Sequence, residues 1–187
     1  YYNYGAVIGT KDSSIGNIVI KNSEIEAYYS ASAKYAYVSS IGGEKFGSTG
    51  SSVDSILIAD SDLSLFFGNM AAAIGGLACH TVEITRSTVT MIEENLAGVD
   101  NTAGVKGDIV TVNSSTLSVE IRNNDDYKGY GILGSESVTI NDGSFDFSKV
   151  ATGISSENVT INGGAFSEGM SIDGTPENAK GIIEMAK

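Results

Sequence analysis

One pattern recurs along this chain: apolar-x-apolar-x-x-(Ser/Gly)-x-apolar-x-apolar. Its six copies begin at Ile18 (IVIKNSEIEA), Ile56 (ILIADSDLSL), Val82 (VEITRSTVTM), Val110 (VTVNSSTLSV), Val138 (VTINDGSFDF) and Val159 (VTINGGAFSE). The intervals are 38, 26, 28, 28 and 21 residues, so the spacing is loose while the motif is not. Alternation on either side of a small residue describes two short strands meeting at a sharp bend, with the first, third, eighth and tenth positions facing inward. The first column reads Ile18, Ile56, Val82, Val110, Val138 and Val159. The eighth reads Ile25, Leu63, Val89, Leu117, Phe145 and Phe166. The sixth holds Ser23, Ser61, Ser87, Ser115, Gly143 and Gly164, small at every level as a tight bend demands.

A third strand is expected before each copy, where glycine stands beside an apolar residue: Val7-Ile8-Gly9, Ile41-Gly42-Gly43, Ala73-Ile74-Gly75-Gly76, Gly104-Val105, Gly131-Ile132 and Gly153-Ile154. Like residues recurring at each repeat argue for parallel stacking, which sets every residue about 4.8 Å from its counterpart. Asn113, Asn141 and Asn162 share one column and predict a ladder of side-chain amides. The expected fold is therefore all-β, a parallel β-helix of about six coils with three short strands per coil, roughly 29 Å tall at that spacing. It forms a single domain over 1–187. After the last copy two continuations stay open. Gly181-Ile182-Ile183 falls 28 residues beyond Gly153 and reads as a truncated seventh coil, whereas Thr175-Pro176 suits the start of a capping helix.

Composition narrows function by exclusion. Eleven basic against 23 acidic residues leave a formal charge of -12, a field that repels nucleic-acid phosphates and anionic lipid headgroups. Only two arginines, Arg86 and Arg122, are present to bind a polyanionic sugar. Cys79 is the sole cysteine, so an intramolecular disulfide is impossible. The longest apolar stretch, Met70 to Cys79, is too short to span a bilayer. The chain opens on Tyr1-Tyr2-Asn3-Tyr4 without the basic and apolar segments of a signal peptide. It is therefore read as intracellular or as a piece of a longer repeat protein, and the C-terminal pattern favours the second.

No constellation for chemistry emerges. Cys79 and His80 are neighbours on a strand and point to opposite faces, so they cannot act as nucleophile and base. One His and one Cys do not make a zinc set. Carboxylate pairs stand at Asp60/Asp62, Glu93/Glu94 and Asp125/Asp126 without further pattern, and the Asn123–Asp126 run lacks the spacing of a calcium loop. No catalytic residue, metal ligand or cofactor site is assigned. Binding residues are expected in the loops between copies, over Tyr28–Ser55, Glu93–Gly104 and Asn123–Tyr130. Seven of the nine tyrosines lie within the first 37 residues. Tyr28, Tyr29, Tyr35 and Tyr37 are read either as an aromatic platform for sugar rings or as a cover over the N-terminal end of the stack. Asp125, Asp126 and Tyr127 are the candidates in the third loop.

The sequence resembles the right-handed parallel β-helix, or pectate-lyase-like, superfamily. It is more similar to Gly/Ala-rich repeats of large secreted or cell-surface bacterial proteins, loosely labelled carbohydrate-binding. Ala71–Gly76 with Val82–Met91, Gly131–Phe147 and Gly153–Phe166 carry the likeness. It implies a right-handed, single-stranded helix at the cell surface or outside the cell. Of the superfamily's galacturonan-hydrolase motifs only Asp-Asp occurs, and no lyase motif surrounds Arg86 or Arg122. A non-catalytic module binding neutral glycan or another surface protein is the leading expectation. A polysaccharide lyase or glycoside hydrolase working from a groove, and an adhesive spacer that self-associates through open coil ends, are the alternatives.

Overall fold

The computed structural model describes every residue except 1, 11–12, 29–34, 44, 47–48, 51, 69–70, 94–101, 124–125, 128, 177–183 and 187. At 2–5, 35–36, 45–46, 49–50, 122–123, 126, 174–176 and 184–186 it describes the backbone alone. The chain is all-β, and no helix occurs among the described residues. Its strands form parallel ladders, an arrangement compatible with a parallel β-helix.

Three ladders run side by side, and in each the spatial order of strands is their order in the sequence. The first begins Tyr2–Gly9, Tyr35–Gly42, Ala72–Gly75. The second begins Ser14–Lys21, Ser52–Ala59, Cys79–Thr85. Thereafter single strands, Ala103–Asn113, Tyr130–Ile140, Thr152–Ile161 and the shorter Ile172–Pro176, serve both ladders in turn, with slips in register between Gly107 and Ile109, Leu133 and Ser137, and Ser155 and Asn158. The third has seven strands: Glu24–Ala27, Asp62–Phe67, Thr88–Glu93, Ser115–Glu120, Gly143–Lys149, Ala165–Ser167 and Glu184–Ala186. Thr175 and Pro176 thus pair with Asn158 and Val159 as strand, not as the opening of a capping helix. Proline is tolerated there because Ile172–Pro176 is an edge strand among the described residues, and an edge strand can spare an N–H. Gly181-Ile182-Ile183 lies outside the described residues.

The inward columns behave as their periodicity demands, and side chains from all three ladders share one core cluster. Ile56, Ile58, Leu63, Val82, Ile84, Val89, Val110 and Leu117 are at most 1% exposed. Phe145 and Phe166 stack with centroids 4.8 Å apart and planes 16° apart, a parallel pairing imposed by their shared column. The tenth column fails at its last level, where Glu168 is exposed and Met170 packs against the core instead.

The first four bends between second and third ladders each turn on one residue with positive φ, Asn22, Asp60, Arg86 and Ser114, at 46–51°, whereas the last two carry positive φ at Gly143 and Gly164. Asn and Asp enter that region readily, whereas arginine seldom does. Arg86 there meets Asp60 of the preceding bend through two hydrogen bonds of 2.7 Å. The serine after the bend does more than stay small. Each hydroxyl donates to the carbonyl two residues back (Ser61 to Ala59, Ser87 to Thr85, Ser115 to Asn113) at 2.8–2.9 Å. It also accepts the N–H of the serine one level earlier, at 3.1–3.2 Å. The asparagine ladder forms beside it. Asn141 donates to Asn113 at 2.6 Å, and Asn162 donates to Asn141 at 2.7 Å.

In the first ladder one apolar column runs Ile8, Ile41, Ile74, Val105, Ile132, Ile154, Ile172. The glycines beside it occupy two registers. Gly9, Gly42 and Gly75 follow the apolar residue, while Gly104, Gly131 and Gly153 precede it. Gly42 has φ +130°, and a Cβ on it would collide with the Gly75 carbonyl oxygen, so close approach and backbone conformation both require glycine there.

Within the excursion Tyr28–Ser55, the strand expected at Ile41-Gly42-Gly43 extends over Tyr35–Gly42, and a small hairpin follows it, Lys45–Phe46 with Thr49–Gly50. A second hairpin, Arg122–Asn123 with Asp126–Tyr127, stands where the third loop was expected. Within Glu93–Gly104, residues 94–101 lie outside the described residues. Tyr2–Gly9, Ser14–Lys21 and Glu24–Ala27 are edge strands, and Ile8, Ile15 and Ile25 are only partly buried there.

Candidate functional site

Strand alternation sends one set of third-ladder side chains outward, and parallel pairing aligns them in columns. Nearest the bend are Glu24, Asp62, Thr88, Thr116 and Ser144. Next come Glu26, Ser64, Thr90, Ser118 and Asp146. At the far edge Phe66, Ile92, Glu120 and Lys149 follow one another in register. Tyr28 extends this edge column. It follows Ala27, which pairs with Leu65, and its ring lies 5.2 Å from that of Phe66 at a tilt of 53°.

The edge is thus an apolar stripe across three levels, closed by the Glu120–Lys149 ion pair at 2.8 Å. Tyr28 is 58% exposed, and Phe66 and Ile92 are half-buried. Beside the stripe lies an open depression of about 400 Å³ lined by Glu24, Ile25, Glu26, Asp62 and Ser64. A flat apolar edge flanked by carboxylates and hydroxyls offers ring contact on one side and hydrogen-bond acceptors and donors on the other.

Of the binding residues expected from sequence and described in the structure, Tyr28 alone is placed on this face. Tyr35 and Tyr37 lie on the first ladder, in register with Tyr2 and Tyr4, and Tyr37 is half-buried. Tyr29 and Asp125 fall outside the described residues. Asp126 and Tyr127 form one side of the second hairpin, with Tyr127 exposed. Phe66 and Ile92 lie one position past the ten-residue motif, outside its alternation. An eleventh position reads Tyr28, Phe66, Ile92, Glu120 and would have shown the column.

A second polar group sits at the corner between first and second ladders. The Ser135 hydroxyl donates to Asp108 Oδ1 at 2.6 Å, and His80 Nδ1 lies 3.1 Å from Asp108 Oδ2. Ser135 foremost, then His80, holds the Asp108 carboxyl below its ordinary range against the opposing effect of partial burial. Both partners bond the carboxylate, so serine and imidazole do not face each other as nucleophile and base. Cys79 is buried while His80 is exposed, the opposed orientation that strand geometry requires. Of the carboxylate pairs, Asp60 is held ionised by Arg86, while Glu94 and Asp125 are not among the described residues. No group of three His, Cys, Asp or Glu side chains placed to hold a metal ion occurs among the described residues.

Compared with known proteins, the chain matches no family model, no curated protein and no solved structure.

Proposed function

We propose that the chain is a right-handed, single-stranded parallel β-helix of about six coils, of the pectate-lyase-like kind. In this reading it serves as a non-catalytic, extracellular module that binds neutral carbohydrate along the outer face of its third ladder. The observation that carries the reading is the Tyr28–Phe66–Ile92 stripe beside ranks of Ser64, Thr88, Thr90 and Thr116. An apolar ring face suits the C–H side of a sugar, and hydroxyls and carboxylates suit its hydroxyl groups. Carboxylates on the same face and the overall charge of -12 favour a neutral glycan over a polyuronate.

The test is an immobilised panel of neutral polysaccharides. Tyr28→Ala weakens binding about tenfold or more while the unfolding temperature stays put, because an exposed ring at the edge carries little of the core. Absence of binding to every neutral glycan, or undiminished binding by Tyr28→Ala with Phe66→Ser, overturns the proposal.

The edge strands Tyr2–Gly9, Ser14–Lys21 and Glu24–Ala27, with their half-buried isoleucines, support a second reading, self-association through an open end of the stack. Sedimentation that shows dimers, dissociated by Val19→Lys on the exposed side of that edge, would favour it; a monomer at all concentrations would remove it.

A further inference from the structure

The corner between the first and second ladders holds a cavity that the glycan reading does not use. It has a volume of about 240 Å³ and is lined by Gly76, Leu77, Gly107, Asp108, Leu133 and Ser135, with Lys106. The register between adjacent levels slips at this corner, after Gly107 and after Leu133. Leu77, 56% exposed, and half-buried Leu133 supply aliphatic walls, and the glycines leave the floor bare.

At the rim stands the Asp108 carboxylate. Its orientation is set from both sides, by Ser135 on Oδ1 and His80 on Oδ2. Each carboxylate oxygen has lone pairs beyond those two bonds, so Asp108 can accept from an incoming donor. Lys106 is 8% exposed and already engaged in an interaction of its own. Glu136 and Glu157, both exposed, follow Asp108 along the same corner at the next two levels and add to the negative field.

We propose that this cavity binds a primary alkylammonium group, the chemistry shared by a lysine side chain and a free aliphatic amine. An alkyl stem lies between Leu77 and Leu133 and its cationic tip meets Asp108, an apolar body with a charged end matched to apolar walls with a charged rim. Drug-sized ligands fill cavities of about 300–1,000 Å³, so this smaller one suits a small group such as a short alkyl chain. The site lies on a different face from Tyr28, Phe66 and Ile92 and stands independently of glycan binding.

The probes are n-butylamine, the peptide acetyl-Gly-Lys-Gly-amide, and 1-butanol as the uncharged analogue, each titrated while the methyl NMR signals of Leu77 and Leu133 are followed. Saturable shifts with butylamine, about tenfold weaker in Asp108→Asn and absent with butanol, support the proposal. A comparable response to the peptide identifies a protein lysine as the source; a response to butylamine alone identifies a free amine. Leu77→Ser, at an exposed position that leaves the core intact, also weakens binding and serves should Asp108→Asn fail to fold. Absence of saturable shifts with both amines, butanol binding as tightly as butylamine, or unchanged binding in Asp108→Asn or Leu77→Ser overturns it.

Discussion

Replacing Ser87 by alanine removes two hydrogen bonds from the middle of the serine column: the 2.9 Å bond from its hydroxyl to Thr85 O and the 3.1 Å bond it accepts from the Ser61 N–H. Ser87 is 4% exposed and Ser61 7%, so water cannot readily replace the lost acceptor. A buried N–H left unmade costs about 1–3 kcal/mol, and an ordinary hydrogen bond contributes about 1 kcal/mol. The sum is about 2–4 kcal/mol, which for a chain of this length lowers the unfolding temperature by roughly 4–16 °C. Ser23 supplies the control. It lies in the bend between the edge strands Ser14–Lys21 and Glu24–Ala27, where its hydroxyl donates to Lys21 O at 2.8 Å, and no serine of an earlier level is described that would donate to it. Ser23→Ala should cost only about 1 kcal/mol. Urea unfolding followed by far-UV circular dichroism measures both. Equal losses at the two positions, or a neutral Ser87→Ala, would refute the inter-level bonding on which the argument rests.

Three further outcomes follow from the packing and charges. Phe145→Ala, which empties the place of a ring 2% exposed and stacked on Phe166, should cost about 3–5 kcal/mol, read as a fall in denaturant midpoint at constant m-value. Gly42→Ala forces a Cβ into the Gly75 carbonyl at φ +130° and should cost on the order of 3 kcal/mol or more, visible as loss of soluble, cooperatively folding protein. Asp108 titrates below its ordinary value in the folded state, so its contribution is complete above about pH 4 and is lost as pH falls through the lower, folded value. The stability gap between the wild type and Asp108→Asn should therefore narrow from pH 7 to pH 3; a gap independent of pH would contradict that assignment.

How much was legible in the sequence depended on whether a feature repeats at constant spacing within the motif. The inward columns and the Asn113–Asn141–Asn162 ladder did, because strand alternation and parallel stacking act on neighbours that the motif itself aligns. The serine column was legible only as a demand for small size, since the second bond of each hydroxyl needs the register of adjacent levels. The two glycine registers were merged, because glycine beside an apolar residue looks alike whether it precedes or follows. Thr175-Pro176 carries a helix-start signal that pairing with the previous level overrides. His80, Asp108 and Ser135 were not foreseen as a group. His80 and Asp108 share the position two residues before Val82 and Val110, which the repeat aligns, but Ser135 reaches Asp108 only through the register slip, so its spacing does not mark it. The apolar stripe lies one position past the end of the ten-residue motif.

The most direct test of the central claim, carbohydrate bound on the third-ladder face, is backbone amide chemical-shift mapping during titration with a soluble neutral oligosaccharide drawn from the glycan panel. The account predicts saturable shifts clustered at Tyr28, Ser64, Phe66, Thr90 and Ile92, with the second-ladder residues Thr111, Thr139 and Thr160 unmoved. Shifts confined to the second ladder or to the hairpin around Tyr127, or no saturable shifts with any neutral oligosaccharide, would contradict it.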